Sequence, residues 1–147
     1  MSVNMSMGAP VSLNLAGVND SPVAVGWHTV KIERATAAED KNGDPQVMVY
    51  ARVTNESDPD HNQGFSWFLT FNGDMDSFPM KIIRRCVEAL GLPLELDYPS
   101  YQDFGDAMIG LSVDVKISHR EWQGETRINC NQFRPVNLLE MDTDVVF

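Results

Sequence analysis

Gly110–Pro135 reads GLSVDVKISHREWQGETRINCNQFRP, and its side-chain parity is the best guide to the fold. Leu111, Val113, Val115 and Ile117 alternate with Ser112, Asp114, Lys116 and Ser118, the period-2 pattern of a strand with one buried face. Trp122-Gln123-Gly124-Glu125 then supplies a turn with a glycine where φ can be positive. Thr126, Ile128 and Cys130 follow, alternating with Arg127, Asn129 and Asn131. Two strands joined by a tight turn are predicted. Their polar side carries Lys116, Arg120, Trp122 and Arg127, cations and an indole of the kind that meet a charged ligand with flat rings.

Working back toward the start, the same alternation recurs. Trp27, Thr29 and Lys31 alternate with His28, Val30 and Ile32, predicting a first strand from Gly26 to about Ala37. AEDKNGDP ends it in a turn, with Lys41 near the tip. A second strand is expected over Gln46–Thr54, with Val47, Val49, Ala51 and Val53 inward and Met48, Tyr50 and Arg52 outward. After the polar loop NESDPDHNQG, a third places Phe65, Trp67, Leu69 and Phe71 against Ser66, Phe68 and Thr70. The period then changes to that of a helix. Phe78, Ile82, Cys86, Val87 and Leu90 share one face and Lys81, Arg84, Arg85 and Glu88 the other, with Asp76 or Ser77 as cap and Gly91 and Pro93 as terminators. The following segment to Asp106 reads as irregular, with room for a short helix over Ser100–Met108.

Strand, strand, strand, helix, strand, strand is the element order of an OB-fold. The reading is therefore a mainly β chain: a five-stranded OB-fold barrel with one helix between strands 3 and 4. A five-stranded sandwich or an α+β sheet has the same order and stays open. Residues 23–136 form the expected OB-fold domain. Residues 1–22 form an N-terminal arm, with a weak alternation at Val11, Leu13 and Leu15 that also suits an edge strand, and 137–147 form an acidic C-terminal tail.

Bulk properties bound the function. The chain has 147 residues, 43% hydrophobic and 22% charged, in keeping with one globular domain; a chain of this length buries roughly 68–70% of its unfolded surface. Cys86 and Cys130 stand at apolar positions of separate elements, which predicts two reduced core thiols. No apolar run reaches the length of about 18 residues that a membrane span needs, and the first basic residue is Lys31, so an intracellular, cytoplasmic protein away from membranes is expected. The formal net charge of −10 opposes indiscriminate polyanion binding, unless the acids are segregated from a cationic surface.

By parity, Trp27, Lys31, Lys41, Tyr50, Arg52, Phe68, Lys116, Arg120, Trp122 and Arg127 project outward or occupy the loops flanking the expected binding face. Rings that stack on bases and cations that neutralise the intervening phosphates are what single-stranded nucleic acid requires. Asp58, Asp60 and His61 have the chemistry of hard-metal ligands but sit among turn formers, so a polar turn is the better reading and a metal-dependent nuclease a remote one. No nucleophile triad and no phosphate-loop motif occurs, and neither catalysis nor a cofactor is expected. Helix residues Lys81, Arg84 and Arg85 read as a solvated face. The principal alternative is a non-catalytic interaction or structural protein acting through its acidic surface, as a host-factor inhibitor or virion component.

Four stretches, GWHTVKIERA (26–35), KNGDPQVMVYARV (41–53), IIRRCVEALGL (82–92) and GLSVDVKI (110–117), resemble a group of phage-encoded OB-like proteins found with replication and recombination genes, some regarded as single-stranded DNA-binding proteins. The resemblance implies sequence-nonspecific binding of single-stranded DNA. Residues 137–147 look like the acidic, Phe-terminated tip by which bacterial and phage single-stranded DNA-binding proteins recruit replication or recombination proteins, with Asp142, Asp144 and Phe147 matching it and Val146 standing where bacterial tips often have Pro. Monomer and homo-oligomer are equally compatible with the sequence.

Overall fold

The computed structural model describes Pro10 and residues 22–136. The alternation at Val11, Leu13 and Leu15 and the tail residues Asp142, Asp144 and Phe147 lie outside the described residues. Within them run β1 (Gly26–Glu39), β2 (Pro45–Val53), β3 (Gly64–Thr70), α1 (Phe78–Leu90), α2 (Tyr101–Met108), β4 (Ser112–Trp122) and β5 (Glu125–Arg134). The five strands form one antiparallel sheet in the order β3-β2-β1-β4-β5. Two helices, rather than one, separate β3 from β4.

The apolar alternation is what builds the inner face. Val30, Ile32, Val47, Val49, Ala51, Val53, Leu69, Val113, Val115 and Ile117 are fully buried, and Trp67 nearly so. Against them α1 lays Ile83, Cys86 and Val87, and α2 lays Phe104 and Met108. The buried stripe of α1 is rotated from the one expected, with Ile83 inside and Phe78 half exposed. Ser77 caps this helix by accepting from the Met80 N–H, and Gly91 ends it at φ 79°, where the Gly91 and Leu92 amides return to the Glu88 and Val87 carbonyls. On α2, Gly105 is a close-approach residue. A Cβ there would come within 3.0 Å of the Ala35 methyl, so the helix lies tight against β1.

Two irregularities reset the parity of the strands. Between Ile32 and Arg34 the β1–β2 register slips by one, leaving Glu33 as an extra residue and turning Arg34 outward opposite Tyr50. The β4–β5 ladder slips at Lys116/Ile117 with Asn131 as the extra residue, which puts Phe133 inside and Arg134 outside. Gln123 (φ 52°) and Gly124 (φ 80°) make a two-residue turn with both central φ values positive, matched to the twist of the hairpin.

The sheet is not closed into a barrel: β3 and β5 are its edges. The edges nevertheless approach each other. Trp67 of β3 and Phe133 of β5 have ring centroids 5.5 Å apart, and α1 packs on both strands. Cys86 and Cys130, both free, are buried beneath this seam. Burial pushes the Cys86 thiol up to about 12, opposed by the neighbouring Trp67 indole, and likewise raises Cys130 to about 12, with the Cys86 charge adding to the rise.

Candidate nucleic-acid interface

Residues directly opposite in a ladder share a face, so the register fixes what the outer surface presents. Trp27 stands opposite Lys116, Thr29 opposite Asp114 and Lys31 opposite Arg52. Arg34 faces Tyr50, Met48 faces Phe68, and Asp114 faces Arg134. Beyond Gly26 the β4–β5 hairpin extends as a two-stranded ribbon, and its pairs Arg120/Arg127 and Trp122/Glu125 continue the face of Lys116. Nine of the ten sequence-predicted residues therefore fall on one continuous surface. Lys41 lies apart, in the β1–β2 turn at the far end of the sheet among Glu39, Asp40 and Asp44.

Three of the rings on this surface are each stacked by an arginine. The guanidinium carbon of Arg134 lies 4.1 Å from the Trp27 ring centroid, that of Arg34 4.4 Å from Tyr50, and that of Arg127 4.8 Å from Trp122. Contacts of this kind contribute about 0.5–1 kcal/mol each at exposed sites. They also hold the long arginine side chains out along the surface. Tyr50 is further positioned by Gly64 on the neighbouring strand: a Cβ at Gly64 would fall 1.9 Å from the Tyr50 hydroxyl, so only glycine lets the phenol lie across β3. Phe68 carries no such cover and is 54% exposed.

The charges sort by location. The surface holds seven cations, Lys31, Arg34, Arg52, Lys116, Arg120, Arg127 and Arg134, and three acids, each of which is bound to an arginine. Glu33 accepts from Arg52 Nε at 2.9 Å, Asp114 from Arg134 Nε at 3.1 Å and Glu125 from Arg127 Nη2 at 3.4 Å. The Arg52 hydrogen bond holds the Glu33 carboxyl below its usual range. Buried Asp114 also accepts from the Thr29 hydroxyl at 2.6 Å. Among the described residues, Lys31, Arg34, Lys116 and Arg120 have no acidic partner within 4 Å.

Three acids outside the strands are held in turns instead. Asp40 accepts from the Asn42 and Asp44 amides, Asp58 from Asp60 and Asp74 from Asp76, the local side-chain-to-backbone bonds for which Asp is favoured in loops. Such positions lie between strands, never on their outward parity.

Arg34 and Arg134 were invisible to simple alternation because each follows a bulge. The signal that finds them is an excess residue in the register of the neighbouring strand, which only pairing reveals. The Asp58/Asp60/His61 grouping is rearranged too. His61 is not part of it; His28 from β1 joins Asp58 and Asp60, with one potential ligand atom from each within 4.8 Å of the others. These groups are committed to one another and to the backbone. His28 Nδ1 meets Asp58 Oδ2 at 2.6 Å and its Nε2 meets the Ala24 carbonyl at 2.7 Å, while the Ala24 amide donates to Asp60 Oδ2 at 3.0 Å. With both ring nitrogens engaged, His28 is a clasp that ties the β2–β3 loop and the segment before β1 to the sheet. His119 Nε2 meets the Val23 carbonyl at 2.7 Å and secures the same segment from the hairpin.

No protein-family model and no curated protein sequence matches this chain. Among the described residues no helix is long and apolar enough to cross a membrane.

Proposed function

We propose that the chain is a non-catalytic, OB-like protein that binds single-stranded DNA along the outer face of its sheet with little sequence preference. The observation that carries this reading is the surplus of cations, interleaved with Trp27, Tyr50, Phe68 and Trp122, on one face of a chain whose net charge is −10. A ring has two π faces. Trp122, stacked by Arg127 and 48% exposed, and Phe68, 54% exposed, offer ring surface to a base, and stacking contributes about 1–3 kcal/mol per base without reading its identity. The guanidinium beside each ring then lies where the phosphates of a stacked strand pass.

The strand order supports the OB-like assignment, since β3-β2-β1-β4-β5 is the order of such a barrel opened between its third and fifth strands, and α1 bridges that opening. The β4–β5 hairpin, with Arg120, Trp122 and Arg127, then corresponds to one of the two loops that flank the binding face in this architecture. Recruitment of replication or recombination proteins through Asp142, Asp144 and Phe147 belongs to the same reading, and so does a phage replication setting.

Tryptophan emission titrated with oligo-dT at two salt concentrations tests it. Trp27 and Trp122 lie on the face while Trp67 is buried, so partial quenching is expected, with binding that weakens as salt rises. Unchanged emission together with no shift of a labelled oligonucleotide at low salt rejects the proposal. In that event the acidic surface, acting on a protein partner, becomes the better account.

A further inference from the structure

The outer face does not stop at the edge of the sheet. Trp27, Lys116 and Gln132 form one row across β1, β4 and β5, since Trp27 stands opposite Lys116 and Lys116 opposite Gln132. β5 is an edge strand, so the row ends at Gln132. At that edge a hollow of about 400 Å³ is lined by Trp27, Gln132, Phe133 and Arg85. Three of these belong to the sheet, whereas Arg85 comes from α1, which packs on the inner face and on β5. The volume is at the small end of the range of about 300–1,000 Å³ for ligand pockets, room for one nucleotide rather than a run of them.

Arg85 differs from its neighbours on α1. Lys81 and Arg84 border the hollow between α1 and residues 93–101, and Arg84 is paired with Glu88 at 2.8 Å. Arg85 turns toward β5 instead. The bulge leaves Asn131 without a partner on β4, and the Asn131 carbonyl accepts from Arg85 Nη1 at 3.0 Å. The guanidinium carbon also lies 5.6 Å from the centroid of the Phe78 ring. Held in this way, the group has no acidic partner within 4 Å among the described residues, and no acid lines the hollow. Its other N–H groups form a planar fork that matches a phosphate.

We propose that this hollow is a one-nucleotide subsite, an inference that rests on the single-stranded DNA reading and extends it beyond the sheet. The strand leaves the outer face over the edge of β5, with a phosphate on Arg85, its base beside Trp27 and the Gln132 amide bonded to the base edge. The indole is kept in place by Arg134, whose guanidinium carbon lies 4.1 Å from its centroid. Because an amide both donates and accepts, Gln132 finds a partner atom on the edge of any base. The solvated face read from the sequence at Lys81, Arg84 and Arg85 then divides, and only Arg85 joins the nucleic-acid surface.

The test measures oligo-dT affinity of the full-length chain across a salt series, for the parent and for Arg85→Ala, Arg85→Lys, Gln132→Ala and Arg84→Ala. Arg85→Ala should weaken binding about fivefold at about 0.1 M salt and make the slope of log affinity against log salt shallower by about 0.7, the signature of one lost phosphate contact on a single strand. Arg85→Lys should recover that slope, which a purely structural guanidinium would not do. Gln132→Ala should weaken binding about fivefold, the worth of one neutral hydrogen bond, with the slope unchanged. Arg84→Ala should alter neither quantity. A parent that binds while Arg85→Ala keeps its slope, or while Arg84→Ala flattens it equally, overturns the subsite and leaves the outer-face reading standing. A parent that binds oligo-dT at no salt concentration overturns both.

Discussion

The two faces of one sheet are built from the same strands and obey opposite rules. On the inner face, Val30, Val49, Val115 and their neighbours form the buried apolar core, and two helices pack on it. On the outer face the alternate residues of those strands carry seven cations and four rings, and no helix among the described residues packs over that face. A half-polar sheet normally explains its outer side by solvation alone. Here arginines lie on three rings and all three acids are neutralised, an arrangement that solubility does not require. The inner face holds the molecule together; the outer face is the one the proposed ligand would use.

That contrast breaks most sharply at Trp67, which belongs to the core and to the seam between β3 and β5. Trp67→Ala should lower stability by about 3–5 kcal/mol, read from a denaturant midpoint. Oligo-dT affinity of the protein that remains folded should hardly move. A loss of affinity without a loss of stability would assign this ring to the wrong face.

The next effect is alkaline and comes from the same core. Because Cys86 and Cys130 have their folded values raised from about 9 to about 12, the folded state keeps its thiol protons where the unfolded chain has released them. Their contribution is fully present below pH 9 and is lost as pH climbs toward 12, with a slope of about 1.4 kcal/mol per pH unit for each thiol. Denaturant midpoints across pH 8–10.5 should fall, and Cys86→Ala/Cys130→Ala should flatten the decline. In the native protein neither thiol should react with a thiol reagent on the timescale of minutes at pH 8.

On the outer side, Trp122→Ala and Tyr50→Ala should each weaken oligo-dT binding by about 1–3 kcal/mol. Melting temperature should stay within the narrow range of surface substitutions. Gly64→Ala sharpens the point, because its new methyl overlaps the Tyr50 hydroxyl and must displace the ring. It should reproduce part of the Tyr50→Ala loss with the phenol still present. Affinity identical to the parent would mean that Tyr50 does not meet the ligand.

The smallest effect is expected at Glu33→Gln. Freeing Arg52 from its ion pair should tighten binding slightly and steepen its salt dependence, as one more cation becomes available to phosphate. Weaker binding would instead identify Glu33 as a residue that positions Arg52.

Much of this was legible before any coordinates. Val47 to Val53 and Val113 to Ile117 announce their buried side by period alone, and Ser77, Gly91 and the Gln123-Gly124 turn announce the ends of elements, because each depends on neighbours a few residues away. Trp27, Lys31, Tyr50, Arg52, Phe68 and Lys116 follow from the same parity. What the sequence by itself could not determine is whatever depends on pairing between distant strands. The bulges at Glu33 and Asn131 reverse the facing of every residue beyond them, bringing out Arg34 and Arg134 and turning in Phe133. The meeting of His28 with Asp58 and Asp60, and the approach of Trp67 to Phe133 across an unclosed seam, rest on contacts at separations of 30 residues or more, which no local period encodes. Alternation is a property of one strand, whereas register, closure and the company a side chain keeps are properties of several, and only the tertiary structure decides them.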